Sequence, residues 1–324
     1  MIMEYQKEFR GLPVVTFPAH PDSAMPEVRG EVAWRIDCGF DDDDNDSWDD
    51  EWLDFEDVWE RFLATVDTTQ VTALTVGHWS DYLADADYPL TEALAAAAAR
   101  LPALRALHLG DVDNGSDWSA DISTVHHGDL TPVLQAYPAL EELWVSGRSH
   151  RDAQPYFEPL RHSTLRKLVL VSGGLSAATI RAVGECEFPL LRYLDIHFGS
   201  PTYGGDGTLA DIDWLISGEH FQNLTHLGLR DSVFQDEIAA EAAHAPIVAQ
   251  LKTLDLSLGT LGDEGAAALL AGQPLNHLTK LDLHHHFIST EMQDRLRTAW
   301  PGVDVDLSQL KTEYNGRRYV AVAE

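Results

Sequence analysis

The sequence predicts an α/β solenoid, a concave parallel sheet backed by convex helices in a horseshoe. The pattern Leu-x-x-Leu-x-Leu recurs nine times, successive copies start 22–36 residues apart, and helix-like segments fill the intervals. Five copies keep all three leucines: Leu104/Leu107/Leu109, Leu165/Leu168/Leu170, Leu224/Leu227/Leu229, Leu251/Leu254/Leu256 and Leu278/Leu281/Leu283. Degenerate copies are Val71/Leu74/Val76, Leu140/Leu143/Val145, Leu191/Leu194/Ile196 and Trp300/Val303/Val305. In each copy the second and third apolar residues are two apart and share one face of a short strand. One such strand cannot bury its apolar side alone, so neighbouring repeats must stack into a continuous core.

The elements follow in chain order. Residues 1–70 read as an N-terminal cap: strands over Gly11–Phe17 and Val32–Cys38, then an amphipathic helix with Phe55, Val58, Trp59, Phe62 and Leu63 at helical spacing. Such a cap is needed because an uncovered solenoid end exposes apolar core and sheet edge. Between strand and helix runs the acidic stretch Asp41–Glu51. No alignment of its alternate acids puts Gly at the sixth and Glu at the twelfth position of a calcium loop, so it reads as a solvated loop. Residues 71–308 hold the repeats, with returning helices expected over Thr91–Leu101, Ser176–Phe188, Leu209–Ser217, Gln235–Gln250, Asp263–Ala271 and Ser289–Trp300. Thr290 and Gln293 have capping-box spacing at the start of the last. Two repeats are lengthened directly after their strands, by Asp111–Gly128 and Gly199–Gly207. Residues 309–324 form the other cap, a hairpin turning at Asn315-Gly316.

The chain resembles the ribonuclease-inhibitor class of leucine-rich-repeat proteins, most closely over Leu251–Leu256 followed by Leu261–Leu269. The resemblance spans about residues 70–308 and implies the horseshoe. It departs where the class carries Asn or Cys three residues after the final Leu: here stand Val112, Arg148, Gly173, Gly199, Ser232, Gly259 and His286. The usual hydrogen-bond ladder of that turn is therefore missing. The chain also resembles a bacterial leucine-rich-repeat family through Phe9–Pro13, Val32–Ile36, Phe55–Trp59 and Arg318–Val320, which implies a fold and no activity.

Charge narrows the partners. Of 324 residues, 53 are Asp or Glu and 22 are Lys or Arg, a formal charge of −31. Such a surface repels phosphate backbones and anionic lipid, so neither nucleic acid nor membrane is expected. Simple solubility and steering of a basic protein both remain open. No apolar run is long enough to span a bilayer, and the charged Met1–Gly11 stretch lacks a signal-peptide core. Two cysteines, Cys38 and Cys186, suit a reducing compartment, so the expected location is cytoplasmic.

Strand alternation names the side chains facing the hollow. Those expected to meet a partner are Glu142, Trp144, Tyr193, Asp195, His197, His226, Arg230, Asp255, Asp282, His284 and Asp304. Aromatic rings and arginine dominate binding hot spots. Asp255, Asp282 and Asp304 are expected in one column on consecutive strands, where carboxylates about 4.8 Å apart need an offsetting cation, side chain or partner. No phosphate loop, nucleophile elbow or zinc-protease motif occurs. In His284-His285-His286 a third metal ligand beside Asp282 and His284 is not evident. The expected function is a non-catalytic scaffold, adaptor or inhibitor without a cofactor, binding a basic protein. The alternative is a small metal-dependent or hydrolytic site on the same face.

Overall fold

The computed structural model describes residues 5–38, 54–79, 89–113, 122, 125–149 and 156–322. The chain forms two compact units, Ile2–Gly147 and Arg148–Glu324. The acidic stretch 41–51 and most of the 111–128 insertion, Trp118 included, lie outside the described residues.

In the first unit the chain runs β1 (Glu8–Phe9), β2 (Leu12–Thr16), β3 (Ala33–Ile36), α1 (Phe55–Thr65), β4 (Ala73–Val76), α2 (Leu90–Ala96), β5 (Ala106–Leu109), β6 (His126–His127), α3 (Thr131–Ala136) and β7 (Glu142–Ser146). Strands β2, β3, β4, β5 and β7 pair in parallel, so the repeat sheet begins two strands before the first Leu-x-x-Leu-x-Leu copy. Helix α3 was not foreseen. Helix α1 is capped by the Asp54 carboxylate, which accepts from the Glu56 backbone N–H. Its Phe55, Val58, Trp59, Phe62 and Leu63 are all buried, Trp59 to 2% exposure. Phe62 packs edge-on against Phe17 and Trp34 and stacks on Trp59, joining the helix to β3.

Strand β1 changes the expected picture of this unit. Arg10 and Gly11 take left-handed φ of 54° and 72°, folding β1 back antiparallel on β2. Phe9, 3% exposed, thereby lands on Ala33, Ala73 and Ala106, small side chains of the face that alternation leaves open. The ion pair Arg10–Glu141 (2.8 Å) fastens the turn.

The second unit runs β8 (Arg148–Ser149), β9 (Lys167–Val171), α4 (Ala177–Glu185), β10 (Tyr193–Gly199), α5 (Asp213–Ile216), β11 (His226–Ser232), α6 (Gln235–Ala242), β12 (Thr253–Asp255), α7 (Asp263–Ala271), β13 (Lys280–Asp282), α8 (Thr290–Ala299) and β14 (Asp304–Asp306). Strands β9 to β14 are all parallel, with Leu168, Leu194, Leu227, Leu254, Leu281 and Val305 in one row. Helix α8 is capped one residue earlier than expected, by Ser289 accepting from Met292, while Gln293 donates to the Ile288 carbonyl.

The ninth copy is shifted. Register pairs Lys280 with Asp304 and Asp282 with Asp306, so Val305 and Leu307 take the places assigned to Val303 and Val305. Asp304 therefore leaves the aspartate column, and Asp306 enters it. A slip of two keeps every side chain on its face, so alternation could not detect it. The turns agree: Asp231, Leu258, His285 and Gln309 have φ of 55–68°, each two residues after the last buried leucine of its repeat, Leu229, Leu256, Leu283 and Leu307. This left-handed turn stands where the asparagine ladder was missing. At β11 the buried Gln235 side chain completes it, donating to the Leu229 carbonyl and accepting from the Ser232 N–H.

At Asn315-Gly316, with φ of 51° and 71°, a tight turn is closed by a single antiparallel bridge between Tyr314 and Arg317, and no strand of the described residues flanks it. Beyond it the chain returns to the repeats. Arg318 pairs with Asp236 (2.7 Å), Ala321 donates to the Leu258 carbonyl, and Ala321 and Val322 both donate to the Asp231 carboxylate.

Candidate functional site

The side chains between the buried leucines of β9–β14 form three columns. The first holds Lys167, Tyr193, His226, Thr253, Lys280 and Asp304; the second Val169, Asp195, Gly228, Asp255, Asp282 and Asp306. Beyond the second lie His197 and Arg230, paired in register, and further on Ser257 and His284. Glycine at 228 makes the arrangement possible, because a Cβ there would stand 2.4 Å from Asp195 Oδ1 and 3.1 Å from Arg230 Cδ.

Arg230 fills that gap. Its Nη1 reaches Asp195 Oδ2 at 3.0 Å, and its Nε reaches Asp255 Oδ2 at 3.3 Å and donates to Ser257 Oγ at 3.0 Å. One guanidinium thus spans two carboxylates from strands on either side of its own. His197 Nε2 lies 3.5 Å from Asp195 Oδ1, and His226 Nε2 lies 4.0 Å from Asp195 Oδ2. Tyr193 stacks on His226 with centroids 3.7 Å apart and planes 4° from parallel, while Lys167 Nζ sits 4.8 Å over the tyrosine ring. The result is a layered Lys167–Tyr193–His226 ridge beside the Arg230 hub.

The aspartates share a backbone role. Asp255, Asp282 and Asp306 each accept, through Oδ1, the N–H two residues on, from Ser257, His284 and Ser308 at 3.0–3.1 Å. Their mutual repulsion is offset by protein cations: Arg230 at Asp195 and Asp255, and Lys280 Nζ at Asp282 (2.7 Å) and Asp306 (3.7 Å). His284 Nδ1 lies 2.7 Å from Asp282 Oδ1.

Burial and charge set the protonation states. Burial pushes the His197 imidazole down to about 3 and His226 to about 4, so both are neutral at pH 7. Burial also raises Asp195, but Arg230 and the two histidines outweigh it and hold the carboxyl below its ordinary value. Asp255, buried and facing the charges of Asp195 and Asp282, rises to about 6 although Arg230 and the Ser257 hydrogen bond oppose the shift. Asp282 overcomes burial through hydrogen bonds to His284 and Lys280 and lies well below the usual range.

Of the residues the sequence named, Tyr193, Asp195, His197, His226, Arg230, Asp255, Asp282 and His284 are brought together on this face. Asp195, His197, Asp255 and Asp282 are buried within it, whereas Tyr193, His226, Arg230 and His284 stay half-exposed and Asp304 is exposed. Alternation also turns Lys167, Ser257, Lys280 and Asp306 toward this face, although none of them is among the residues expected to meet a partner. What the register adds is the place of Asp306 in the aspartate column, opposite Asp282. Glu142 and Trp144 lie in the first unit. There Trp144 meets Phe9 edge-on at 6.2 Å, and its indole N–H donates to Glu142 Oε1 at 2.8 Å, half-buried beneath the β1 hairpin. His285 and His286 turn away from the column. His285 takes left-handed φ and meets Tyr319, while His286 is fully buried, bonded to the Leu307 carbonyl and the Ile288 N–H. The Cys38 and Cys186 thiols are buried and pushed up to about 12 and about 11, so neither is a ready nucleophile.

The chain is similar to a crystal structure from Bacteroides fragilis. That protein, a structural-genomics target, aligns at 26% identity and a TM-score of 0.74, over 82% of this chain and 73% of its own. An internalin of Listeria monocytogenes aligns at 14% identity and a TM-score of 0.36, over 76% of this chain and 56% of its own. No protein-family model and no curated protein sequence matches the chain. Among the described residues, no helix is long and apolar enough to cross a membrane.

Proposed function

We propose that this protein is a non-catalytic leucine-rich-repeat scaffold that binds a basic protein through the β9–β14 face. The observation that supports it most is an excess of carboxylate on a rigid sheet: Asp195, Asp255, Asp282, Asp304 and Asp306 against Lys167, Arg230 and Lys280. A partner meets a face largely fixed in advance by Arg230 and the Tyr193–His226 stack. Preorganisation lowers the ordering cost of binding. Asp304 and Asp306 on β14 offer the accessible negative charge, and the Lys167–Tyr193–His226 ridge on β9–β11 offers apolar area three or more strands away on the same face. The β1 hairpin covers Trp144, so the reading is confined to the second unit.

The test is affinity capture from the native cell, followed by kinetics with the purified partner. Raising salt should slow association, because steering is screened over about 8 Å at physiological ionic strength. Tyr193→Ala should mainly speed dissociation. A partner that ignores both changes, or cross-links to the helices, refutes the reading.

A further inference from the structure

The shifted register of β14 brings a third possible metal ligand to a place where the sequence offered two. Asp282, His284 and Asp306 each present one ligand atom, and these atoms all lie within 4.8 Å of one another. Two belong to neighbouring rungs of the aspartate column, and the third follows Asp282 by two residues, after the strand has ended. We propose that Asp282, His284 and Asp306 form a binding site for a divalent transition metal, with zinc as the fitting ion.

Chemistry and position both support this. One imidazole nitrogen with two carboxylate oxygens is a borderline donor set, which suits zinc better than magnesium or calcium. Tetrahedral zinc with ligands at about 2 Å places those ligands about 3.3 Å apart. His284 Nδ1 and Asp282 Oδ1 already lie 2.7 Å apart, so the adjustment falls on Asp306, whose side chain is 31% exposed and has room to move. Asp282 is anchored through its Oδ1 bond from the His284 N–H. The locus already holds a positive charge. Lys280 Nζ lies between the two carboxylates, 2.7 Å from Asp282 and 3.7 Å from Asp306, on a side chain 37% exposed and free to swing outward. The lysine is thus a tethered competitor: a metal ion displaces it, and without it the carboxylates are left facing each other with their charge uncompensated. Three protein ligands would leave a fourth coordination position open to water. This inference stands apart from the partner reading, since zinc binding needs no second protein.

The experiment is calorimetric titration of the chelator-treated full chain with zinc chloride, then with calcium chloride. The wild type should bind one zinc at this site, and Asp306→Asn and His284→Gln should each remove that event. Lys280→Met should tighten zinc binding by about tenfold or more, a gain that a misfolded variant cannot imitate. Zinc binding unchanged in both ligand variants places the ion elsewhere and overturns the proposal. So does a Lys280→Met variant that binds no more tightly than wild type. Calcium binding as tight as zinc, and retained in His284→Gln, reduces the cluster to non-specific attraction and overturns it equally.

Discussion

Adding one methyl group at Gly228 tests the logic of the Arg230 hub. The new Cβ would stand 2.4 Å from Asp195 Oδ1, 2.8 Å from Asp195 Cγ and 3.1 Å from Arg230 Cδ. Asp195 is 2% exposed and cannot retreat into water, so it must rotate away from Arg230. Losing a charge-assisted hydrogen bond costs about 1.5–3 kcal/mol. Overpacking the surrounding side chains costs about 1–3 kcal/mol more. The reduced freedom of the unfolded chain returns about 0.4–1 kcal/mol. Gly228→Ala should therefore destabilise by about 2–5 kcal/mol. Urea unfolding followed by tryptophan fluorescence should show a lower midpoint at unchanged slope. Gly128→Ala is the control, since its Cβ would meet nothing closer than 3.4 Å. Asp195→Ala removes the obstructing carboxylate, so the Gly228→Ala cost should shrink in its presence, a non-additivity expected of direct neighbours. A Gly228→Ala protein within about 0.5 kcal/mol of wild type would show that the hub tolerates displacement.

Other perturbations probe separate parts of the molecule. Trp59→Ala should cost about 3–5 kcal/mol, since the indole is almost wholly buried between Phe55 and Phe62; a loss under about 1 kcal/mol in urea refutes its role in the cap. His127 is buried, and burial pushes its pKa down to about 4, so the folded state disfavours the proton that the unfolded chain takes up near 6.5. Its contribution is fully present above about pH 6.5 and is lost as pH falls to 4, at about 1.4 kcal/mol per pH unit; His127→Gln should lessen the acid slope of stability by that amount, leaving the share of His197 and His226. Gln309 is exposed and left-handed at φ 61°, so Gln309→Gly should raise the melting midpoint, by up to about 1 kcal/mol of stability. Phe9→Ala should uncover Trp144, red-shifting its fluorescence and admitting quencher.

The local pattern carried most of the fold. Copies such as Leu224/Leu227/Leu229 predict their strands because apolar residues two apart must share a buried face, and the same alternation put Asp195, His197, Arg230 and Asp255 on the other. What escaped depends on information alternation does not contain. The slip that replaces Asp304 by Asp306 preserves parity, so both registers look alike from one strand. Phe9 reaches Ala106 across nearly a hundred residues, and nothing near either residue announces the contact. Leu258 and His285 in left-handed turns lack the glycine that would have marked them. Ser289 and Thr290 are both competent caps, and the choice between them rests on tertiary placement of α8.

The return of residues 318–322 to the β11 turn changes how the second unit comes apart. A stack in which each layer touches only its neighbours frays from the end, layer by layer, at small free energy per step. Here β14 is outermost, yet the chain beyond it is tied to Asp231, Asp236 and Leu258, two and three layers inward. Peeling β14 while the tie holds would leave a closed loop, not a free end, and the loop keeps the peeled strand close to its place. The last four strands should accordingly exchange their amide hydrogens together, and Arg318→Ala with Asp231→Ala should split that single phase into a gradient running inward from β14. The tail acts on the order of unfolding more than on the shape it protects.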